Sequence, residues 1–180
     1  MTTRAVLTAI GRDRPGLVEE VSELVLASGG SIEDSRMANL GGMFAIMMLV
    51  TFSQLEGAAE AIGRLEAGVA ELGSRAELRV ELTPASEAEP ASPPAARLRL
   101  TGRALDQPGL VHEVANVLRR FGVNIESMDT SLEAAPVTGA AVFAMDLVVA
   151  VPAGVSQPAL RDELGRACDA LNIDLSLAPL

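Results

Sequence analysis

A short pattern that occurs twice constrains this chain more than anything else in it. Gly11-Arg12-Asp13-Arg14-Pro15-Gly16-Leu17-Val18 returns as Gly102-Arg103-Ala104-Leu105-Asp106-Gln107-Pro108-Gly109-Leu110-Val111, with two extra residues ahead of the acid. In each copy an apolar run ends at a glycine, an acid follows, and a Pro-Gly pair opens a stretch with apolar residues at helical spacing. That order predicts a strand, a tight loop and a helix start. Proline suits a first helical position, because its φ is already helical and its missing N–H would have no partner inside the helix. Glycine beside it weakens a helix by about 1 kcal/mol relative to alanine. Its recurrence at one register therefore predicts that something approaches the backbone there. The free N–H groups of a helix start, at the positive end of the dipole, suit a carboxylate or another anion.

Everything around the two copies repeats with them. An apolar run over 4–11 reads as a central strand, and Leu17, Val18, Val21, Leu24 and Val25 form one stripe of a helix over 15–28 that Gly29-Gly30 ends. A polar strand from Ser31, a turn at Leu40-Gly41-Gly42 and an apolar strand over 43–52 follow. A second helix is expected over 54–72 with Gly73 as its stop, then a strand in which Leu78, Val80 and Leu82 alternate with charges. The order is βαββαβ. Residues 84–94 are Pro, Ala, Ser and Glu alone and predict an extended linker. The second half repeats the first: Leu98 and Leu100 on a strand, Leu110, Val114, Val117 and Phe121 on a helix, Asn124-Ile125 opening the polar strand. Phe143, Met145, Leu147, Val149 and Val151 match Phe44, Ile46, Met48, Val50 and Phe52, which puts a six-residue insertion in the second hairpin near 134–139. The expected domains are residues 1–83 and 95–180.

A βαββαβ chain folds as an α+β unit, a ferredoxin-like antiparallel four-stranded sheet with two helices on one face. The other face is bare. Met43, Ala45, Met47 and Leu49 in the first module, and Val142, Ala144, Asp146 and Val148 in the second, are too apolar for full solvation. Another sheet or a partner chain is expected to cover them, and small modules favour further burial, so a homo-oligomer is expected.

The inventory excludes several kinds of chemistry. All fourteen basic residues are Arg, which removes lysine Schiff-base and Walker-lysine mechanisms. One His and one Cys, His112 and Cys168, support neither a catalytic triad nor a transition-metal site. His112 lies just off its helical stripe as a surface residue, and Cys168 lies on the inner stripe as a small hydrophobe. A net charge of −10 with no basic half and no Trp or Tyr argues against direct nucleic-acid contact. Neither a signal peptide nor a membrane span is read, and one cysteine fits a reducing cytoplasm.

The loops allow two readings at each residue. Asp13 and Asp106 either receive an amino group or cap the helix start. Arg14 either offers its planar fork to a ligand carboxylate or is a solvated charge, and Gln107 in its place offers only neutral hydrogen bonds. The Asp-x-Pro-Gly-Leu-Val loop between first strand and first helix of a βαββαβ unit, with Ser31-Ile32 or Asn124-Ile125 opening the second strand, resembles the ACT domain, a small-molecule-sensing module. Two such units joined by a linker resemble the glycine cleavage system transcriptional repressor family; Asp34-Ser35-Arg36-Met37-Ala38 and Leu40-Gly41-Gly42-Met43-Phe44 are also similar. The resemblance implies amino-acid sensing at module interfaces, with the Pro-Gly loops supplying backbone contacts and binding by Asp13, Arg14, Pro15, Gly16, Leu17, Ser31 and Ile32, and by Asp106, Gln107, Pro108, Gly109, Leu110, Asn124 and Ile125. The residue inventory gives no cofactor, metal or catalytic role to expect.

Three functions compete on the sequence. The first is an amino-acid-responsive regulator acting on transcription through a partner protein. The second is a regulatory subunit of an amino-acid biosynthetic enzyme, and the third a small enzyme on this fold.

Overall fold

The computed structural model describes residues 3–52, 58–85, 95–135 and 139–180. The chain divides into two compact units, Met1–Pro90 and Ala91–Leu180. In the first, β1 (Thr3–Arg12), α1 (Leu17–Ala27), β2 (Ser31–Leu40), β3 (Met43–Phe52), α2 (Ala58–Ala76) and β4 (Leu78–Ala85) follow in order. In the second, β5 (Ala96–Leu105), α3 (Leu110–Arg120), β6 (Asn124–Ala134), β7 (Ala141–Val151), α4 (Gln157–Ala170) and β8 (Asp174–Pro179) repeat it. Both sheets are antiparallel, ordered β2-β3-β1-β4 and β6-β7-β5-β8. The chain is thus a tandem of ferredoxin-like α+β modules.

Alternation in the central strands decides which face meets the helices. On β1 Leu7 and Ala9, and on β3 Phe44, Ile46, Met48, Val50 and Phe52, point to one side and are buried with Leu17, Val21 and Val25 of α1 and Leu65 and Leu72 of α2. The second module builds its core from the matching positions, Leu98 and Leu100 with Val114, Val117, Leu160, Leu164 and Cys168. Full burial of each such aliphatic side chain contributes about 1.5–3 kcal/mol. With almost no aromatic residue, the cores rely on many of these.

Four local expectations are corrected. The helices begin at Leu17 and Leu110, so Pro15 and Pro108 precede them. Gly16 and Gly109 are not inside a helix but are its N-caps, at φ of 96° and 97°. Left-handed backbone is where a residue without Cβ is favoured, and this accounts for both glycines before any ligand is invoked. Gly73 does not stop α2: the helix passes through it to Ala76 and reverses at Glu77, whose φ is 55°. A Cβ on Gly73 would lie 2.9 Å from the Leu78 carbonyl oxygen, so the helix there runs against the start of β4. Leu55, expected on this helix, lies outside the described residues.

The second loop is not longer than the first. Gly11 pairs with Phe44 and Ala104 with Phe143, so Ala104, not Gly102, is the counterpart of Gly11. Both first strands have ten residues, and Gly102 lies two residues before the position that corresponds to Gly11. The hairpin insertion is real. β2 and β3 are joined by Gly41-Gly42, whereas Ala134 and Ala141 bound a six-residue connection, of which 136–138 lie outside the described residues. Finally, Pro84 and Ala85 belong to β4, so strand reaches into the expected linker; 86–94 lie outside the described residues.

Candidate ligand site at the Pro-Gly loops

The first loop is fixed by its neighbours before α1 begins. The Asp13 amide donates to the Gly42 carbonyl at 2.9 Å, tying the loop to the β2–β3 turn. The Asp13 carboxylate accepts from the Asn39 side-chain amide of β2. Asn39 stands opposite Phe44 in the register, which the two-residue glycine turn sets. Arg14 folds back onto α1, its two guanidinium nitrogens donating to the two Glu20 oxygens at 2.6 and 3.1 Å. This bidentate pair holds the Glu20 carboxyl below, and the Arg14 guanidinium above, their ordinary values, mainly through the hydrogen bonds themselves.

The start of α1 is bare. Gly16 supplies no side chain, and the first intrahelical bond runs from the Glu20 amide to the Gly16 carbonyl at 2.9 Å. α3 starts in the same way at Gly109. α4, by contrast, is capped by Ser156, which accepts from the Ala159 amide. Over the bare start of α1 lies a depression of about 570 Å³ lined by Asp13, Gly16, Leu17, Glu19, Met37 and Asn39 among others. One lining therefore brings together the free amides of a helix start, the Asp13 and Glu19 carboxylates and the apolar residues Leu17, Met37 and Phe44.

The sequence-predicted residues divide between two places. Asp13, Arg14, Pro15, Gly16 and Leu17 gather at this depression. Ser31 and Ile32 line a second one, of about 550 Å³, farther along α1 with Glu23, Leu26 and Gly30. Glu19 and Ser22 border both, so the two form a groove between α1 and β2. Arg14 is in the lining, but Glu20 occupies its fork. Sequence reasoning missed Asn39, Met37, Glu19 and Ser22. Asn39 carries no repeat signal, since the residue opposite Phe143 at the corresponding place is Leu132.

The second loop is built differently. Asp106 keeps the backbone tie, its amide donating to the Ala141 carbonyl at 3.0 Å, but Leu132 stands where the first module has Asn39. Gln107 donates to the Leu171 carbonyl at 2.7 Å, fastening the loop to the end of α4. Asn124 and Ile125 open β6 as Ser31 and Ile32 open β2. His112 is exposed, and Cys168 is buried, its thiol pushed up chiefly by that burial. Among the described residues no group of acids, His and Cys could hold a metal ion.

Comparison with known proteins bears on this geometry. Residues 3–83 match the ACT domain family. The glycine cleavage system transcriptional repressor of Escherichia coli is 27% identical over 172 residues, covering 96% of this chain and 87% of that protein. A UPF0237 protein of Methanopyrus kandleri is 43% identical over 54 residues, 30% of this chain and 60% of its own. Among solved structures, a protein of unknown function from Galdieria sulphuraria superposes with a TM-score of 0.82 at 28% identity, covering 100% of this chain and 99% of that one. A structure assigned as a glycine cleavage system transcriptional repressor superposes with a TM-score of 0.72 at 26% identity, over 100% and 98%.

Proposed function

We propose that this chain, a tandem of two ACT-like modules similar throughout to the glycine cleavage system transcriptional repressor, is a non-catalytic amino-acid sensor. It acts on transcription of amino-acid metabolism genes, glycine metabolism among them, through a partner protein. The observation that carries the reading is that the uncapped start of α1, Asp13 and the apolar residues Leu17, Met37 and Phe44 line one depression. Those are the partners that the carboxylate, ammonium and side chain of one free amino acid require. The first module is the sensing one, because Asn39 orients Asp13 there and Leu132 supplies no such bond in the second. The charge supports action through a partner: the chain carries −10, every basic residue is an Arg, and Arg4, Arg14, Arg36, Arg97, Arg99, Arg103, Arg120 and Arg166 are each paired to an acid, which leaves no cationic stripe for phosphates among the described residues. A cytoplasmic setting belongs to the same reading, supported by the free thiol of Cys168.

A thermal-shift screen of the common amino acids tests it. At about 100 times its dissociation constant, a bound amino acid stabilises by about 2.7 kcal/mol. Asp13→Ala and Asn39→Leu are expected to abolish the shift, while Asp106→Ala leaves it. A screen without any hit, or a hit indifferent to Asp13→Ala, would remove this site from the mechanism. Capture of a metabolic enzyme instead of a DNA-binding regulator would replace transcription by enzyme regulation.

A further inference from the structure

We infer that the open sheet face of the first module is the interface with a second copy of this chain, stacked sheet on sheet about a two-fold axis parallel to the strands. This rests on the face itself and not on the ligand reading.

The two modules differ sharply on this side. In the first, the strand register lays out three central rows running from β2 to β4: Ala38, Ala45, Ile10 and Arg79; Arg36, Met47, Thr8 and Glu81; Asp34, Leu49, Val6 and Thr83. The middle is apolar and open, with Ile10 47% exposed and Met47 51% exposed. Within these rows charges stand only on the two outer strands, and the central strand carries its own, Arg4 and Arg12 of β1, at the two ends beyond them. In the second module the charges cross the middle: Arg99 of β5 grips Asp146 of β7, Arg103 pairs with Glu133, and Asp129 and Asp174 flank them. Burying that face would strip water from ionic groups at its centre, whereas the centre of the first face holds Met47, Ile10, Leu49, Val6, Ala45 and Thr8 and keeps its charges at the margins.

Size and charge select the occupant. Strands of ten residues and four strands across give a face of roughly 30 by 19 Å, so a pair of such faces buries about 1,200 Å², the lower limit for a stable interface. Two sheets pack about 10 Å apart with their strands nearly aligned. A two-fold axis along the strands puts β3 on β1 of the partner and β2 on β4. Met47 then lies over the small Thr8 of the partner subunit, Ala45 under Ile10 of the partner subunit, and Leu49 against Val6 of the partner subunit. In the same row Arg36, whose exposed guanidinium also holds Asp34 of its own strand, meets Glu81 of the partner subunit, and symmetry makes the pair twice. An axis across the strands would instead set Arg36 against Arg36 and Glu81 against Glu81. Charge complementarity therefore fixes the orientation, and the large-on-small packing agrees with it.

Sedimentation of the full chain at tens of micromolar tests this, with circular dichroism checking that each variant is folded. The wild type is expected to be a dimer. Met47→Glu should give folded monomer, while Ala144→Glu, at the centre of the other module's face, should leave the dimer intact. Arg36→Glu and Glu81→Arg should each weaken association by at least tenfold, and the two together should restore it. A monomeric wild type overturns the proposal, as does a dimer that survives Met47→Glu or is lost in Ala144→Glu. Single charge reversals that weaken the dimer without mutual rescue would overturn the orientation.

Discussion

Gly16 and Gly109 show how one residue can be read correctly as special and wrongly as to cause. Their recurrence suggests a ligand pressing on the backbone, but a φ near 96° already favours glycine at both places. Consequently Gly16→Ala or Gly109→Ala should destabilise the free protein by about 1–2 kcal/mol, the cost of a Cβ in left-handed backbone. Urea unfolding measures this, and unchanged stability in both variants would mean that the caps relax to another conformation. Substituting these glycines is thus a poor probe of binding, and Asp13 and Asn39 are the better ones. Arg14 has a similar lesson. Its fork is legible as a carboxylate binder from chemistry alone, yet the carboxylate it holds is Glu20, six residues on in the helix that follows the loop. Nothing in the spacing announces that, because Arg14 lies in the loop, outside the helical periodicity that predicts side-chain neighbours.

At the level of elements, period and register were readable wherever the core alternates or repeats. The β3 and β7 matches, the two-residue glycine turn and the six-residue insertion all follow from strands whose one face must be apolar. Helix ends were less readable, since a glycine marks a stop, a cap or a close approach, and the sequence does not say which. Gly73 is the case in point: it lies inside α2 where the helix crosses the Leu78 carbonyl. Propensity alone says that Gly73→Ala gains about 1 kcal/mol. Contact with a backbone oxygen, which cannot rotate away, reverses this. We expect a net loss of about 1–2 kcal/mol as α2 is pushed off β4, visible as a lowered urea midpoint, and a stabilised variant would show that the helix shifts freely. The groove between α1 and β2 was half legible: its loop end is in the repeat, while Asn39 and Met37 depend on register in an exposed edge strand whose burial pattern carries no alternation.

The whole molecule keeps two copies of one core and gives them different outsides, so its response to acid should be uneven. Glu126 and Asp146 in the second module and Glu20 in the first are held below their ordinary values, in each case chiefly by hydrogen bonds from an Arg: Arg97, Arg99 and Arg14 respectively. A carboxyl whose folded-state value is lower than its unfolded one stabilises the fold above the unfolded value, and that contribution is lost as pH falls through the folded one. Stability should therefore decline below about pH 4, where unfolded carboxylates begin to bind protons. All three pairs are exposed, so each contributes little and the useful reading is a difference between variants. Two of the three lie on the second module, along one stretch of β5. Arg97→Gln with Arg99→Gln should thus shrink the loss of urea midpoint between about pH 7 and pH 3 more than Arg14→Gln does, since the slope with pH reports the groups whose proton binding changes on unfolding. If the double variant loses as much midpoint on acidification as the wild type, these pairs are not what acid breaks, and the other carboxylates of an already acidic chain would have to carry the dependence.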